Sequence, residues 1–305
     1  MTGFDYKYQQ RRKHARETWF PASQKELDRI YEETGMILKF AIGEVPAEYE
    51  AAIKEEEEAY GPFLRIPIER DIYQRLTFKT VALWEVVSKL YHVKYVVKVD
   101  DDSYVRLDRL SIAMSQWTQM GAEYVGCFKV RDNADNRLRL RTHRWYDPHH
   151  ELFDGDGSRY AEGPFYVIEG HLIDGIVRSG LTLRMGGPNE DMMTGWVMKA
   201  FNVSHYDDRR LCFKRTCDET VIAFQWDHAV RDFQDPEYRL SSICCEDGQC
   251  ENASERDEDG LKCMHKLHTD PMCASPTVNE AGELPLYRGS SHQLKSDEAW
   301  IENPV

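Results

Sequence analysis

Residues 92–102 read HVKYVVKVDDD, in which Val93, Tyr95, Val96, Val97 and Val99 build a β-branched run that stops abruptly at Asp100, Asp101 and Asp102. A run of this length and composition predicts a buried strand that delivers three carboxylates to one edge of a sheet. On its amino side, residues 71–90 predict a long helix whose apolar face carries Leu76, Val81, Leu83, Trp84 and Val87. On its carboxyl side, a helix over 107–120 leads into a strand over 123–129. Helices alternating with strands predict an α/β protein with a single, Rossmann-like, mainly parallel sheet flanked by helices. Ligands of such sheets bind beyond the carboxyl ends of the strands, which is where the three aspartates fall.

The same reading extends to both ends of the chain. Leu27, Ile30 and Tyr31 recur at helical spacing over 24–34, Gly35 ends the pattern, and MILKFAIG (36–43) reads as a short buried strand. Further short strands are predicted over 63–66 and 164–169, and a helix over 171–179. Pro188 and Asn189 mark the start of a helix that carries Glu190, Asp191 and MMTGWVMKAF. The Glu-rich stretch 48–60, with its run of four glutamates at 55–58, reads as a solvated helix face or a loop and is assigned no chemistry. The basic and aromatic stretch 131–159 is expected to form a loop near the site. From about 243 the chain turns Cys-, Asp- and Glu-rich with little periodicity, so we divide it into a domain over 11–242 and a Cys-rich, irregular extension over 243–305.

Composition narrows the function. The 305 residues carry 53 acidic against 39 basic side chains, a net charge of −14, which repels phosphate backbones and argues against a nucleic-acid partner. No run of about 18 apolar residues exists to anchor the chain in a membrane, and its first residues are too polar for a signal-peptide core. Seven of the eight cysteines lie between 212 and 273, with Cys127 alone upstream. Disulfides are the favoured reading, and zinc stays open for Cys244, Cys245 and Cys250. Asn-x-Ser triplets at Asn202 and Asn252 add to the case for an oxidising compartment.

Four groupings carry chemistry. The three aspartates form a hard-oxygen site suited to Mn²⁺ or Mg²⁺, with a plain surface turn as the competing reading. Glu190 and Asp191 in a first helical turn serve either the helix dipole or proton abstraction. Arg11, Arg12 and Arg16 share a short helix that either faces phosphate or solvent. His228, after a strand-like run, is a third metal ligand or a structural histidine.

Five blocks in order, RRKHARETW (11–19), ERDIYQRLTFKT (69–80), KYVVKVDDDSYV (94–105), YAEGPFYVIEG (160–170) and NEDMMTG (189–195), resemble the β-1,3-galactosyltransferase family, which includes β-1,3-N-acetylglucosaminyltransferases and fringe-like enzymes. The resemblance covers about 11–201 and implies a GT-A fold. It also implies inverting transfer of a sugar, galactose first, from a UDP-sugar to a glycan or glycoprotein hydroxyl, with a β-1,3 linkage. Asp102 would be the most direct Mn²⁺ ligand, with Asp100 and Asp101 completing the metal and nucleotide site beside Glu190, and Asp191 would be the catalytic base. Arg12, Arg16 and Lys79 match positions near the donor pocket, and Tyr160, Gly163 and Tyr166 match the acceptor side. Family members are typically Golgi membrane proteins with a lumenal catalytic domain. This chain departs from them in having no anchor, no apolar strand before the Arg-rich block, and Pro164 and Phe165 in place of small residues. Two rival readings are a catalytically silent binding relative of the same fold, and a different phosphoryl-transfer enzyme, which would lack a P-loop or kinase-type glycine loop.

Overall fold

The computed structural model describes residues 1–130, 140–142, 146–148, 159–181, 189–212, 221–225, 292–294 and 301–302. In chain order its elements are α1 (Tyr6–Thr18), α2 (Gln24–Thr34), β1 (Ala41–Ile42), α3 (Ala47–Tyr60), β2 (Leu64–Arg65), α4 (Leu76–Leu90) and β3 (Tyr95–Val99). They continue with β4 (Ser103–Val105), α5 (Leu107–Met120), β5 (Tyr124–Val130), β6 (Arg159–Glu169), α6 (Gly170–Ser179), α7 (Glu190–Ala200), β7 (His205–Asp207), β8 (Ala223–Gln225), β9 (His292–Leu294) and β10 (Ile301–Glu302). The local signals act as expected at α2, where the Ser23 hydroxyl accepts from the Glu26 N–H at 3.2 Å and Gly35 takes the left-handed conformation, φ 73°, that closes the helix.

The mixed α/β architecture stands, but the sheet is not mainly parallel. Its order is β10-β9-β7-β5-β6-β3, and only the β5–β7 pairing is parallel among the described strands of that sheet. The physical reason lies in β6. Strands joined through a crossover helix run the same way, and β3, β5 and β7 do so. β6 enters through residues 131–158, in which no helix was predicted, and it slots between β3 and β5 antiparallel to both. Its amino-terminal half, with Gly163 and Pro164, therefore lies beside the carboxyl end of β3. β1 and β2 form a separate parallel pair, and β4 pairs antiparallel with β8.

Period-two alternation divides the core between the two faces of the sheet. Tyr166 and Ile168 of β6 pack with Trp84, Ile173, Met193 and Val197 from α4, α6 and α7, whereas Phe165 and Val167 pack with Leu110, Ala113 and Trp117 from α5. The α7 helix sits so close to β6 that a Cβ at Gly195 would lie 2.6 Å from both the Arg159 carbonyl oxygen and Tyr160 Cβ. Gly195→Ala is therefore expected to destabilise the fold by about 2–3 kcal/mol, read from the urea midpoint, because one of the two clashes is with backbone.

Cys127 on β5 is bonded to Cys212, pinning the strand to the turn that follows β7. The other six cysteines lie outside the described residues, as does most of 243–305; what is described of that stretch, β9 and β10, extends the sheet beyond β7. No helix among the described residues is long and apolar enough to cross a membrane.

The solvated reading of the Glu-rich stretch is corrected at one position. The stretch is α3, and Glu55 and Glu58 are exposed, but Glu56 is buried. It stacks on the same helix face as Ile53, three residues before it, and that face packs inward.

Candidate functional site

The three aspartates occupy the turn between β3 and β4, anchored where the Asp100 N–H donates to the Pro164 carbonyl at 2.9 Å. Each carboxylate already faces a cation of the chain. Asp100 Oδ1 lies 2.6 Å from Lys98 Nζ, and Arg11 Nη1 lies 2.7 Å from Asp101 Oδ1 and 3.7 Å from Asp102 Oδ2. Asp101 and Asp102 are nearly buried, and Asp101 Oδ2 has no hydrogen-bond partner among the described residues. An orphaned, buried carboxylate oxygen beside two further carboxylates suits a hard divalent cation. Among the described residues the three carboxylates do not bring their oxygens into one ligand set; Arg11 holds Asp101 and Asp102, and Lys98 holds Asp100.

Lys98 was not singled out by sequence reading, yet it joins the two halves of the site. It sits on β3 with a backbone opposite Tyr166 of β6, and period two puts it on the same face as Val96, toward α4 and α7. Only 3% of it is exposed. Besides Asp100, its ammonium donates to the Gly163 carbonyl and lies 3.7 Å from Glu190 Oε2. Burial alone would lower its pKa; the charges of Asp100 and Glu190 outweigh that and hold it above the ordinary value. The signal that would have found it is a lysine inside an otherwise apolar strand, two residues before Asp100.

Glu190, also 3% exposed, opens α7. Its Oε1 accepts from the Thr80 hydroxyl at 3.0 Å, from the Thr194 hydroxyl at 3.3 Å and from the Tyr166 hydroxyl. Glu190 is thus consumed by the interior, leaving the half-buried Asp191 as the other carboxylate of this helix start. Asp191 Oδ1 accepts from the Met192 N–H at 2.9 Å, and its Oδ2 lies 3.6 Å from where a Cβ on Gly163 would stand. Burial, and then the neighbouring Glu190 charge, push the Asp191 carboxyl up from 3.8 to about 6. A carboxyl poised there is half-ionised just below neutrality, which suits proton abstraction.

The remaining predicted residues fall around this centre. Arg12 is fully buried; its Nε and Nη2 donate to Glu56 at 2.8 and 2.7 Å. Arg16 Nη1 donates to the same carboxylate at 2.5 Å. Both guanidinium groups thus face Glu56. Lys79 Nζ donates to Asp71 at 2.5 Å and to the Thr2 carbonyl at 2.6 Å, and burial lowers its pKa. Tyr160 and Gly163 are on β6, next to α7, and Tyr166 is buried on Glu190. His228 lies outside the described residues. A cavity of about 780 Å³ opens between β1 and β3 and reaches Lys98, Asp100 and Asp101, with Phe40, Leu83 and Val97 among its walls.

Comparison with known proteins bears on this arrangement. Residues 10–209 match the protein-family model described as Galactosyltransferase. "Probable beta-1,3-galactosyltransferase 12" of Arabidopsis thaliana is 34% identical over 248 residues, covering 80% of this chain and 64% of that protein. "Probable beta-1,3-galactosyltransferase 13" of the same plant is 32% identical over 220 residues, 71% of this chain and 62% of that protein. Its "Beta-1,3-galactosyltransferase 7" is 31% identical over 242 residues, 77% of this chain and 60% of that protein. The chain therefore spans less than two thirds of the length of each of these relatives.

Proposed function

Because the chain belongs to the galactosyltransferase family, we propose that it transfers a sugar, galactose first, from a UDP-sugar to a glycan hydroxyl with inversion and a β-1,3 linkage. The observation that supports this best is Lys98, whose contacts with Asp100 and Glu190 tie the acidic turn to the helix start that carries Asp191. Inversion needs one base to take the acceptor proton while the nucleotide leaves from the opposite side, and Asp191, half-buried at the start of α7 with a raised pKa, suits that role. Asp100, Asp101 and Asp102 would hold Mn²⁺ or Mg²⁺, with the orphaned Asp101 Oδ2 as the oxygen most in need of a partner. Bound there, a divalent cation supplies positive charge for the diphosphate of the donor. Arg11 would give up its carboxylate contacts and turn to the same phosphates. Gly163, with Tyr160 nearby, leaves the open side of Asp191 to the acceptor. The Cys127–Cys212 disulfide supports an oxidising, lumenal setting, in keeping with the Golgi setting that the family resemblance implies.

The test is UDP release by the purified chain with UDP-galactose and then UDP-N-acetylglucosamine, over a panel of glycan acceptors, with Mn²⁺ or with EDTA. Acceptor-stimulated release is expected with Mn²⁺, and a loss of about a hundredfold or more with EDTA. Folded protein that binds UDP and transfers nothing would instead mark a silent, glycan-binding relative.

A further inference from the structure

We infer that Lys98 is a positioning residue of this reaction: its ammonium, held between Asp100, Glu190 and the Gly163 carbonyl, locks the acidic turn and the start of α7 into one geometry and lies 3.7 Å from the Glu190 carboxylate that adjoins Asp191. This deepens the proposed function and rests on it. A buried lysine is expensive to desolvate, and a strand this apolar would be better served structurally by valine or isoleucine. Three acceptors from three separate segments (the β3–β4 turn, α7 and β6) meet on this one side chain. Each of those segments carries a residue of the proposed site.

Among the described residues, the groups that face the Glu190–Asp191 pair can be named element by element. Glu190 lies on the same helix as Asp191, Lys98 on β3, Tyr124 on β5 and Tyr166 on β6, while α4 contributes the neutral Thr80. Lys98 is the one cation among them. Glu190 raises the Asp191 pKa and Lys98 lowers it, so the lysine offsets the like charge next door. Without it, Asp191 ionises at higher pH, and the Gly163 carbonyl beside it loses its anchor.

The experiment measures UDP release by the full chain from pH 4.5 to 9 for the wild type, Lys98→Met, and the charge-balanced pair Lys98→Met with Glu190→Gln. Thermal melts and UDP binding check the fold. In Lys98→Met the acid limb of kcat/KM is expected to move up by about one pH unit, with the plateau at least about tenfold below wild type. In the double variant the limb returns to within about half a unit of wild type, because the like charge has gone too, while the plateau stays low because Gly163 is still unanchored. If Lys98→Met fails to fold, the double variant carries the test alone. A wild-type limb in Lys98→Met, or a wild-type plateau in the double variant, overturns the inference. Wild-type protein that releases no UDP with any donor overturns the proposed function instead, so the two failures are separable.

Discussion

Asp191→Asn is expected to lower kcat/KM for sugar transfer about a thousandfold while leaving UDP affinity within about threefold of wild type. The amide keeps the size of the side chain and can still accept from the Met192 N–H, so the start of α7 should stay as it is. What the amide cannot do is take a proton from a hydroxyl. Glu190 offers no substitute, since it is buried under Thr80, Tyr166 and Thr194 and faces Lys98. Loss of rate without loss of nucleotide binding would place Asp191 on the acceptor side of the chemistry. Equal losses in both would mean that it holds the donor, and the assignment as base would fall.

The raised pKa gives the same residue a second signature. The ionised form is the competent base, so kcat/KM should rise with pH through about 6 and level off above it. Stability should move the other way. A carboxyl that titrates near 3.8 in the unfolded chain and near 6 when folded binds its proton more tightly in the native state. The native state is therefore penalised as pH rises from about 4 to 6, and the penalty is complete above that window. Asp191→Asn escapes it. The variant should match wild-type stability near pH 4 and exceed it at pH 7.5 by about 1–2 kcal/mol, a figure already reduced for the solvent that reaches this half-buried side chain. Equal melting temperatures at both pH values would show that the site does not strain this carboxylate. A variant that is less active and more stable is what a functional carboxylate buried for its chemistry should produce.

The acidic turn and the start of α7 were legible in the sequence because each combines two independent local signals. At Asp100 a β-branched run ends in carboxylates; at Glu190 a Pro-Asn helix start precedes acidic residues. The helix over 24–34 was legible for the same reason, since its apolar spacing and terminal glycine agree. Strand direction was not. Alternation of helix and strand predicts strand direction only where a crossover helix is read, and none was read in the sequence before β6. Lys98 and Glu56 were missed because a charged residue was read by its type and not by its face. Lys98 shares its strand face with Val96, and Glu56 shares its helix face with Ile53, and both faces turn inward.

Glu56→Ala is expected to destabilise the protein by about 3–5 kcal/mol, measured by urea denaturation, more than any single change on the exposed face of α3. One carboxylate serves two arginines; Arg12 cannot reach water, and the Arg16 side chain is only 6% exposed. Arg12 is wholly buried over the Phe63 ring, and Arg16 is packed over Phe40 and Tyr60 at 5.0 and 4.3 Å from their centroids. Removing the acid leaves Arg12 with the Gly3 carbonyl at 2.5 Å and the Thr2 hydroxyl at 3.4 Å as its hydrogen-bond acceptors among the described residues, and strands two positive charges side by side. The loss should depend on pH. Burial pushes Glu56 up, but Arg12 and Arg16 outweigh it and hold its pKa below 4.5. Its contribution is therefore present at neutral pH and disappears as pH falls through that lowered value, so wild type and variant should converge on strong acidification. Replacing all three partners by apolar residues should cost less than Glu56→Ala alone, since no charge is then left buried without a partner. That comparison also decides what the arginines do. If the apolar triple variant folds and still binds UDP, Arg12 and Arg16 serve to set α1 so that Arg11 reaches Asp101 and Asp102. If it folds and no longer binds UDP, at least one of the two arginines touches the donor.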